Sequence, residues 1–463
     1  MAEDKVDFMI FGASGYTGQY VVEILAKTAK DENVTWAVSG RYMDKIKKIL
    51  DFVAKETKIN LDHIKILKAD TKDYESLLAM CKISKIVLNC VGPYRWFGEP
   101  VVKACLETGA HHVDISGEPN FMEQMQLLYH DVAKKKGNYI ISACGFDSIP
   151  CEMGTVLLNK EFGQSSEINS VEQHISLSST GSGGGGVNHG TWDSAVNSFS
   201  LRDDLAETRR RLKEKFYTKP CPKSEFKLES RGVLSKTDDG RQWSLTFPSA
   251  DASVFYRTQK DLFQEHDKRP AQFKSYIELP SIVHALCVCF VGIIMNILAP
   301  FAFTRNLLHK YPEIFSLGIF SKAGPTREHP EFTEDEENNR QINRRSCIVV
   351  TCGCCENKDT EEMCVLNSGF RMKLVGEGWK EKLASPTDRH QSKPDKKITV
   401  IVDGPNAGYI ATPIAMIQSG LMILKQADKL PSTGGVYTPG VAFRDTTLID
   451  RLNKNGFTIK AEE

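Results

Sequence analysis

Residues 6–18 read VDFMIFGASGYTG: an apolar run that ends in a turn carrying glycines at three-residue spacing. The run does not alternate, which marks a strand of a parallel sheet covered on both faces. Gly12, Gly15 and Gly18 give GxxGxxG, one residue different from the GxGxxG dinucleotide signature. Gly12 permits a tight exit from the strand. Gly15 lets backbone amides approach a pyrophosphate with no Cβ in the way. Gly18 lets the next helix pack close to the sheet. The N-terminus of that helix adds oriented N–H groups and a partial positive charge for an anion. The position directly after the first strand supports dinucleotide binding. The competing reading is a plain strand-to-helix turn that binds nothing.

Working outward, further strand-like runs lie near 35–39, 64–70, 86–92, 112–115 and 139–144, with helical spacing between them. This alternation predicts an α/β fold, a Rossmann-type doubly wound parallel sheet over residues 1–150. The second strand ends in Ser39-Gly40-Arg41, with no acidic residue to accept from ribose hydroxyls. Arg41, with Lys45 one turn later, suits a 2′-phosphate instead, so NADP(H) is preferred and NAD(H) is the alternative. In the bland reading Arg41 is solvated or stacks on the adenine.

The fourth strand runs into Asn89-Cys90-Val91-Gly92-Pro93-Tyr94. Ligands of open α/β sheets sit at the carboxyl ends of the strands, so this loop belongs near the ribose and nicotinamide. Asn89 offers a hydrogen bond, Gly92 close approach and Pro93 stiffness. Tyr94 is a candidate acid or merely a wall. A catalytic tyrosine needs a neighbouring cation, and no YxxxK pattern follows it. Glu118 and Asp147 end the fifth and sixth strands. Each is a candidate orienting or acid/base group, with helix capping as the rival role, shared with Ser116 and Ser148.

The chain has 463 residues with 59 basic and 59 acidic side chains. That length suggests two or three domains, and the charge balance argues against a nucleic-acid partner. No secretory signal precedes the first strand, so the thirteen cysteines are expected as free thiols in a reducing compartment. Cys81, Cys90, Cys105 and Cys144 lie in apolar runs and act as small hydrophobes.

The strings FGASGYTGQ, LNCVGPYRWFGEPVVKAC, DISGEPNFMEQMQLLYHDVAKKKG and GFDSIP, followed by HGTWDSA, GPNAGYIATPIAMIQ, GGVYTPGVAF and LIDRLNKNG, resemble the animal saccharopine dehydrogenase-like oxidoreductases. The resemblance covers roughly 6–327 and 398–459. It implies a Rossmann domain (1–150), an inserted second α/β (α+β) domain (151–402) and a last segment (403–463) that returns to the first. It carries a cofactor site onto Gly12, Ala13, Ser14, Gly15, Tyr16, Thr17, Gly18 and Arg41. It does not carry a reaction. The family also resembles mycobacterial enoyl reductases of long-chain lipid intermediates, and fold kinship is a weak guide to substrate.

In the middle region, a glycine-rich stretch at 181–186 precedes His189, a candidate proton donor on a mobile loop or the start of a capped helix. Residues 202–215 read as a solvated helix. Residues 281–303 hold no charge, and membrane or monolayer insertion, a buried helix pair and a lid over a greasy substrate compete there. Animal relatives on lipid droplets favour shallow insertion. Residues 328–397 fit the family poorly and read as an atypical insertion. Its five clustered cysteines, Cys347, Cys352, Cys354, Cys355 and Cys364, lack clean CxxC pairs, so no metal site is assigned.

The resulting expectation is an NADP(H)-dependent oxidoreductase moving hydride to or from a C=O, C=N or C=C bond of a lipophilic small molecule. The rival is a non-catalytic dinucleotide-binding scaffold or redox sensor. Both sit on the cytoplasmic face of a lipid droplet or membrane, with cytoplasm or mitochondrion as the alternative location and a homodimer allowed.

Overall fold

The computed structural model describes residues 5–179, 187–200, 202–318, 320–321 and 368–462. The first 150 residues contribute β1 (Val6–Phe11), β2 (Trp36–Gly40), β3 (Ile66–Lys68), β4 (Ser84–Asn89), β5 (His111–Asp114) and β6 (Tyr139–Ile141). The rest supply β7 (Glu167–Ser179), β8 (Val187–Asn188), β9 (Leu234–Lys236), β10 (Trp243–Thr246) and β11 (Gln272–Leu279). They end with β12 (Phe320–Ser321), β13 (Ser368–Trp379), β14 (Lys396–Pro405), β15 (Gly435–Tyr437) and β16 (Thr458–Ala461).

The first sheet runs β15-β6-β5-β4-β1-β2-β3, with every pairing parallel. The chain order reverses between β1 and β4, the position where open α/β sheets bind their ligands. Phe11 is in register with Asn89, so the glycine turn and the Asn89–Pro93 loop leave the sheet side by side.

Both faces of this sheet are covered, which is why β1 does not alternate. Phe8 and Ile10 pack into one core with Val21, Val22 and Leu25 of α1 (Tyr16–Glu32). Met9 and Phe11 point the other way, into a core shared with helices Tyr94–Thr108 and Pro119–Lys136. Helix Thr412–Lys425, late in the chain, packs on the α1 side through Ala415, Ile417 and Leu421.

The second sheet is mixed and runs β16-β14-β13-β7-β11-β10-β9. Helix Ile149–Phe162 packs against it so closely that a Cβ on Gly154 would lie 2.3 Å from Leu374 Cδ1. β8 and β12 form a separate small pair.

Three stretches differ from their sequence reading. β13, inside the region read as an atypical insertion, pairs with both β7 and β14 near the middle of the second sheet; residues 328–367, with the cysteine cluster, lie outside the described residues. Of the last segment, Thr412–Lys425 and β15 lie on the first sheet, whereas β16 pairs with β14 in the second. Helix Arg202–Lys215 is not simply solvated: Arg209 forks onto the buried carboxylate of Glu123 at 2.8–3.1 Å, and Leu212 is buried.

Candidate dinucleotide site

After Phe11 the chain turns at Gly12 with φ +89°, a conformation that L side chains rarely adopt. The amides of Gly12 and Ala13 both donate to Ser39 O, at 2.9 and 3.3 Å, which fixes the turn on the end of β2. Gly15 is the residue before α1, and no side chain caps that helix. The first amides of a helix have no partner within it. Gly15 is exposed and Thr17 half-buried at the switch point, and the Gly15 amide itself donates to Gly12 O at 2.9 Å, which leaves the amides after it for a ligand. A Cβ on Gly18 would lie 2.1 Å from Gly12 O, and one on Gly12 would lie 2.7 Å from Val91 Cγ2. The turn therefore stays narrow, bare of side chains and uncapped, which fits a diphosphate.

At the end of β2, Arg41, Tyr42, Met43 and Lys45 are all exposed. The guanidinium of Arg41 lies 5.4 Å from the Tyr42 ring centre and the Lys45 ammonium 5.6 Å from it. Two cations around an aromatic plate suit a phosphorylated adenosine.

The β4 loop is built differently from its sequence reading. Asn89 is fully buried; its Oδ1 accepts from Val91 N at 3.0 Å and its Nδ2 lies 3.3 Å from His112 Nε2. The amide shapes the loop instead of reaching a nucleotide. Gly92 and Pro93, joined by a cis peptide, form the exposed tip and a half-buried neighbour. Tyr94 donates its hydroxyl to Asn89 O at 2.8 Å, and burial pushes its pKa well above the ordinary tyrosine value. It is a wall of the loop.

Glu118 is a cap, but for a helix other than the one it precedes. Its carboxylate accepts from Tyr94 N (2.9 Å) and Arg95 N (3.0 Å) at the head of Tyr94–Thr108. It also accepts from the hydroxyl of Ser194, on the helix His189–Ser200, at 2.9 Å.

Asp147 follows β6 on a strained turn, with Ala143 at φ +61° and Ser148 at φ +118°. Its side chain reaches solvent yet is surrounded by protein. A Cβ on Gly117 would lie 2.7 Å from Asp147 Oδ2, so the missing side chain lets the β5 and β6 tips meet. That crowding, with the charge of Asp251, pushes the Asp147 pKa up to about 7. His189 opens the helix His189–Ser200, but its side chain lies outside the described residues.

Two contacts were not legible in sequence. Tyr409, in a π-turn at Ala407–Ala411, packs edge-on against Tyr16 (4.7 Å) and stacks on Tyr20 (5.6 Å). Thr412 Oγ1 accepts from Phe146 N at 2.9 Å, tying the Asp147 loop to helix Thr412–Lys425. π-turns often mark functional sites, but no local periodicity announces a partner so distant in the chain.

The family described as the Saccharopine dehydrogenase NADP binding domain matches residues 8–141. A human saccharopine dehydrogenase-like oxidoreductase is 37% identical, with 98% of this chain and 97% of the relative covered. The chain belongs to the saccharopine dehydrogenase-like oxidoreductase family. A Caenorhabditis elegans relative, named a lipid droplet localized protein, is 33% identical over 99% of this chain and 98% of its own. Among solved structures, apo saccharopine dehydrogenase (L-Glu forming) from Saccharomyces cerevisiae shares the fold at TM-score 0.51 and 13% identity, with 99% of this chain and 100% of that chain covered. The bare turn, the cationic plate and the matched domain agree: this saccharopine dehydrogenase-like chain binds NADP(H). When bound, the nicotinamide supplies hydride chemistry.

Arg41→Ala is expected to weaken NADPH about 10- to 100-fold by removing a charge-assisted bond, with little change for NADH. Titration with both cofactors checks this, and equal losses would reject the 2′-phosphate role.

Two carboxyls deeper in this saccharopine dehydrogenase-like fold make it pH-sensitive. Asp114 is fully buried, and Glu152 accepts from Gly440 N at 2.8 Å and from the Thr258 hydroxyl while its Oε1 has no partner. Burial pushes both pKa values up to about 7. Above their ordinary values the unfolded chain releases these protons while the folded chain keeps them. Their contribution to stability is therefore complete in acid and is lost as pH rises through about 7. Relative to the wild type, Glu152→Gln should therefore gain melting temperature as pH rises from about 4 to about 7, with no further change above. A difference between variant and wild type that stays constant over this window would contradict the assignment.

Proposed function

We propose that the protein is an NADP(H)-dependent oxidoreductase working at a lipid surface, with Asp147 as its proton donor. It moves hydride between nicotinamide and a C=O, C=N or C=C bond of a lipophilic substrate. The observation that carries the chemistry is the place of Asp147: it is exposed on the turn after β6 with its carboxylate against Gly117 of the turn after β5, and the surrounding protein with Asp251 pushes its pKa up, towards the range of a general acid. Tyr94, another candidate, is held in its loop by its hydroxyl's bond to Asn89 O. In this reading residues 1–150 hold the cofactor, 151–402 shape the substrate side, and 403–463 bind the two together.

The lipid surface is supported by the helix Ile282–Leu298. Val291 and Met295 bury against Trp192 and Val196 of helix His189–Ser200. Val283, Leu286, Phe290, Ile293 and Ile297 face away, each 52–58% exposed and spaced three or four residues apart. Phe301 and Phe303 extend the patch. At 17 residues the helix is shorter than a bilayer span, and a one-sided apolar stripe suits shallow insertion. Among the described residues, the helical stretch long and apolar enough to cross a membrane is Ala407–Lys425, which is mostly buried in the core. The lipid-droplet name of the nematode relative points the same way.

The test is NADPH turnover against carbonyl and enoyl lipids presented in phosphatidylcholine vesicles. Turnover of at least one class is expected. Tight NADPH binding with no turnover across the panel would favour a non-catalytic redox sensor.

A further inference from the structure

The apolar stripe and the dinucleotide cleft are joined by a short chain of defined contacts. Helix Ile282–Leu298 seats Val291 and Met295 on Trp192 and Val196. Trp192 is fully buried and donates its indole N–H to Leu308 O at 2.9 Å. Asp193 pairs with His309 at 2.6 Å. The helix His189–Ser200 is thus held by the lipid-facing unit. Two residues after Trp192, Ser194 donates to Glu118 at 2.9 Å.

Glu118 is nearly inaccessible, and its two oxygens hold the amides that open helix Tyr94–Thr108. That helix begins at the residue after Pro93, at the tip of the β4 loop beside the glycine turn. A second strut, Arg95 to Asp204 at 3.0 Å, ties the same helix end to the second domain.

We infer that lipid docking through Ile282–Leu298 and NADP(H) binding at the glycine turn strengthen each other through the Ser194–Glu118 contact, an inference that rests on the lipid-surface reading above. Docking fixes helix His189–Ser200, which holds Ser194 on Glu118 and keeps the head of helix Tyr94–Thr108 in place. Dinucleotide in the cleft orders the same loop from the other side. Whichever ligand binds first bears the ordering cost, so the second binds more tightly. Ser194 and Glu118 are positioning residues in this scheme.

The experiment is NADPH titration of the full chain with and without phosphatidylcholine vesicles. Vesicles are expected to tighten NADPH about fivefold, and saturating NADPH to tighten vesicle binding by the same factor. Ser194→Ala should bind vesicles like the wild type while the factor falls to about one, and Ser194→Thr should restore it by keeping the hydroxyl. Phe290→Asp with Ile293→Asp should lose vesicle binding and still take up NADPH. A wild type that binds vesicles with unchanged NADPH affinity would overturn the coupling and leave docking standing. A wild type that ignores vesicles would overturn docking and the coupling with it. Full coupling in Ser194→Ala would reject this route. Should that variant melt early, Ser194→Thr decides: a folded Thr variant that binds vesicles yet shows no coupling would overturn this route.

Discussion

Gly15→Asp should reduce NADPH affinity more than about 100-fold while the protein melts at or above the wild-type temperature. The two halves of that result have separate causes. Gly15 has φ −74° and ψ 162°, ordinary extended geometry for any residue, and it is exposed. A Cβ there would lie 3.1 Å from Gly12 O, a tight contact that a small shift relieves. An aspartate in this position would accept hydrogen bonds from the first turn of α1, which has no side-chain cap. Such caps stabilise a helix by about 1 kcal/mol. The same carboxylate would occupy the amides that a diphosphate needs and repel its charge. NADPH fluorescence titration and a thermal melt check both halves. Gly18→Ala is a poorer probe, because its Cβ would collide with Gly12 O and disturb the turn itself.

Asp147→Asn should lower turnover of the accepted lipid about 100-fold or more, with NADPH affinity unchanged. An amide keeps the size of the side chain and cannot deliver a proton. Reduction requires the protonated acid, so the wild-type rate should decline as pH rises through about 7, the value set by crowding and by Asp251. The Asn variant should lose that limb of the profile. Stopped-flow rates across the pH range check this, and a variant with the wild-type rate and profile would remove Asp147 from the chemistry.

The legible part of the molecule was the part ruled by local pattern. β1 to β6 showed as apolar runs because a sheet covered on both faces needs them, and the glycines showed because a narrow turn excludes side chains. β15 was not legible: three residues, Gly435–Tyr437, pair with β6 across almost three hundred positions. Glu118 is a capping type by sequence, yet its carboxylate caps a helix other than the one it precedes, because the amides it meets, at the head of Tyr94–Thr108, lie more than twenty residues earlier in the chain. Asn89 looked like a nucleotide ligand because its position at a strand end is right. Its burial against His112 depends on β5 lying alongside, which no spacing within β4 reports. The stripe on Ile282–Leu298 was visible as an uncharged run. Which side would stay bare depended on where Trp192 and Val196 would pack.

The measurement that bears most directly on the account is a crystal structure of the chain grown with NADPH. The prediction is a diphosphate against the backbone of the Gly12–Gly18 turn at the head of α1, with the 2′-phosphate beside Arg41. Nucleotide bound elsewhere, with Gly12–Gly18 closed on its own side chains, would contradict it.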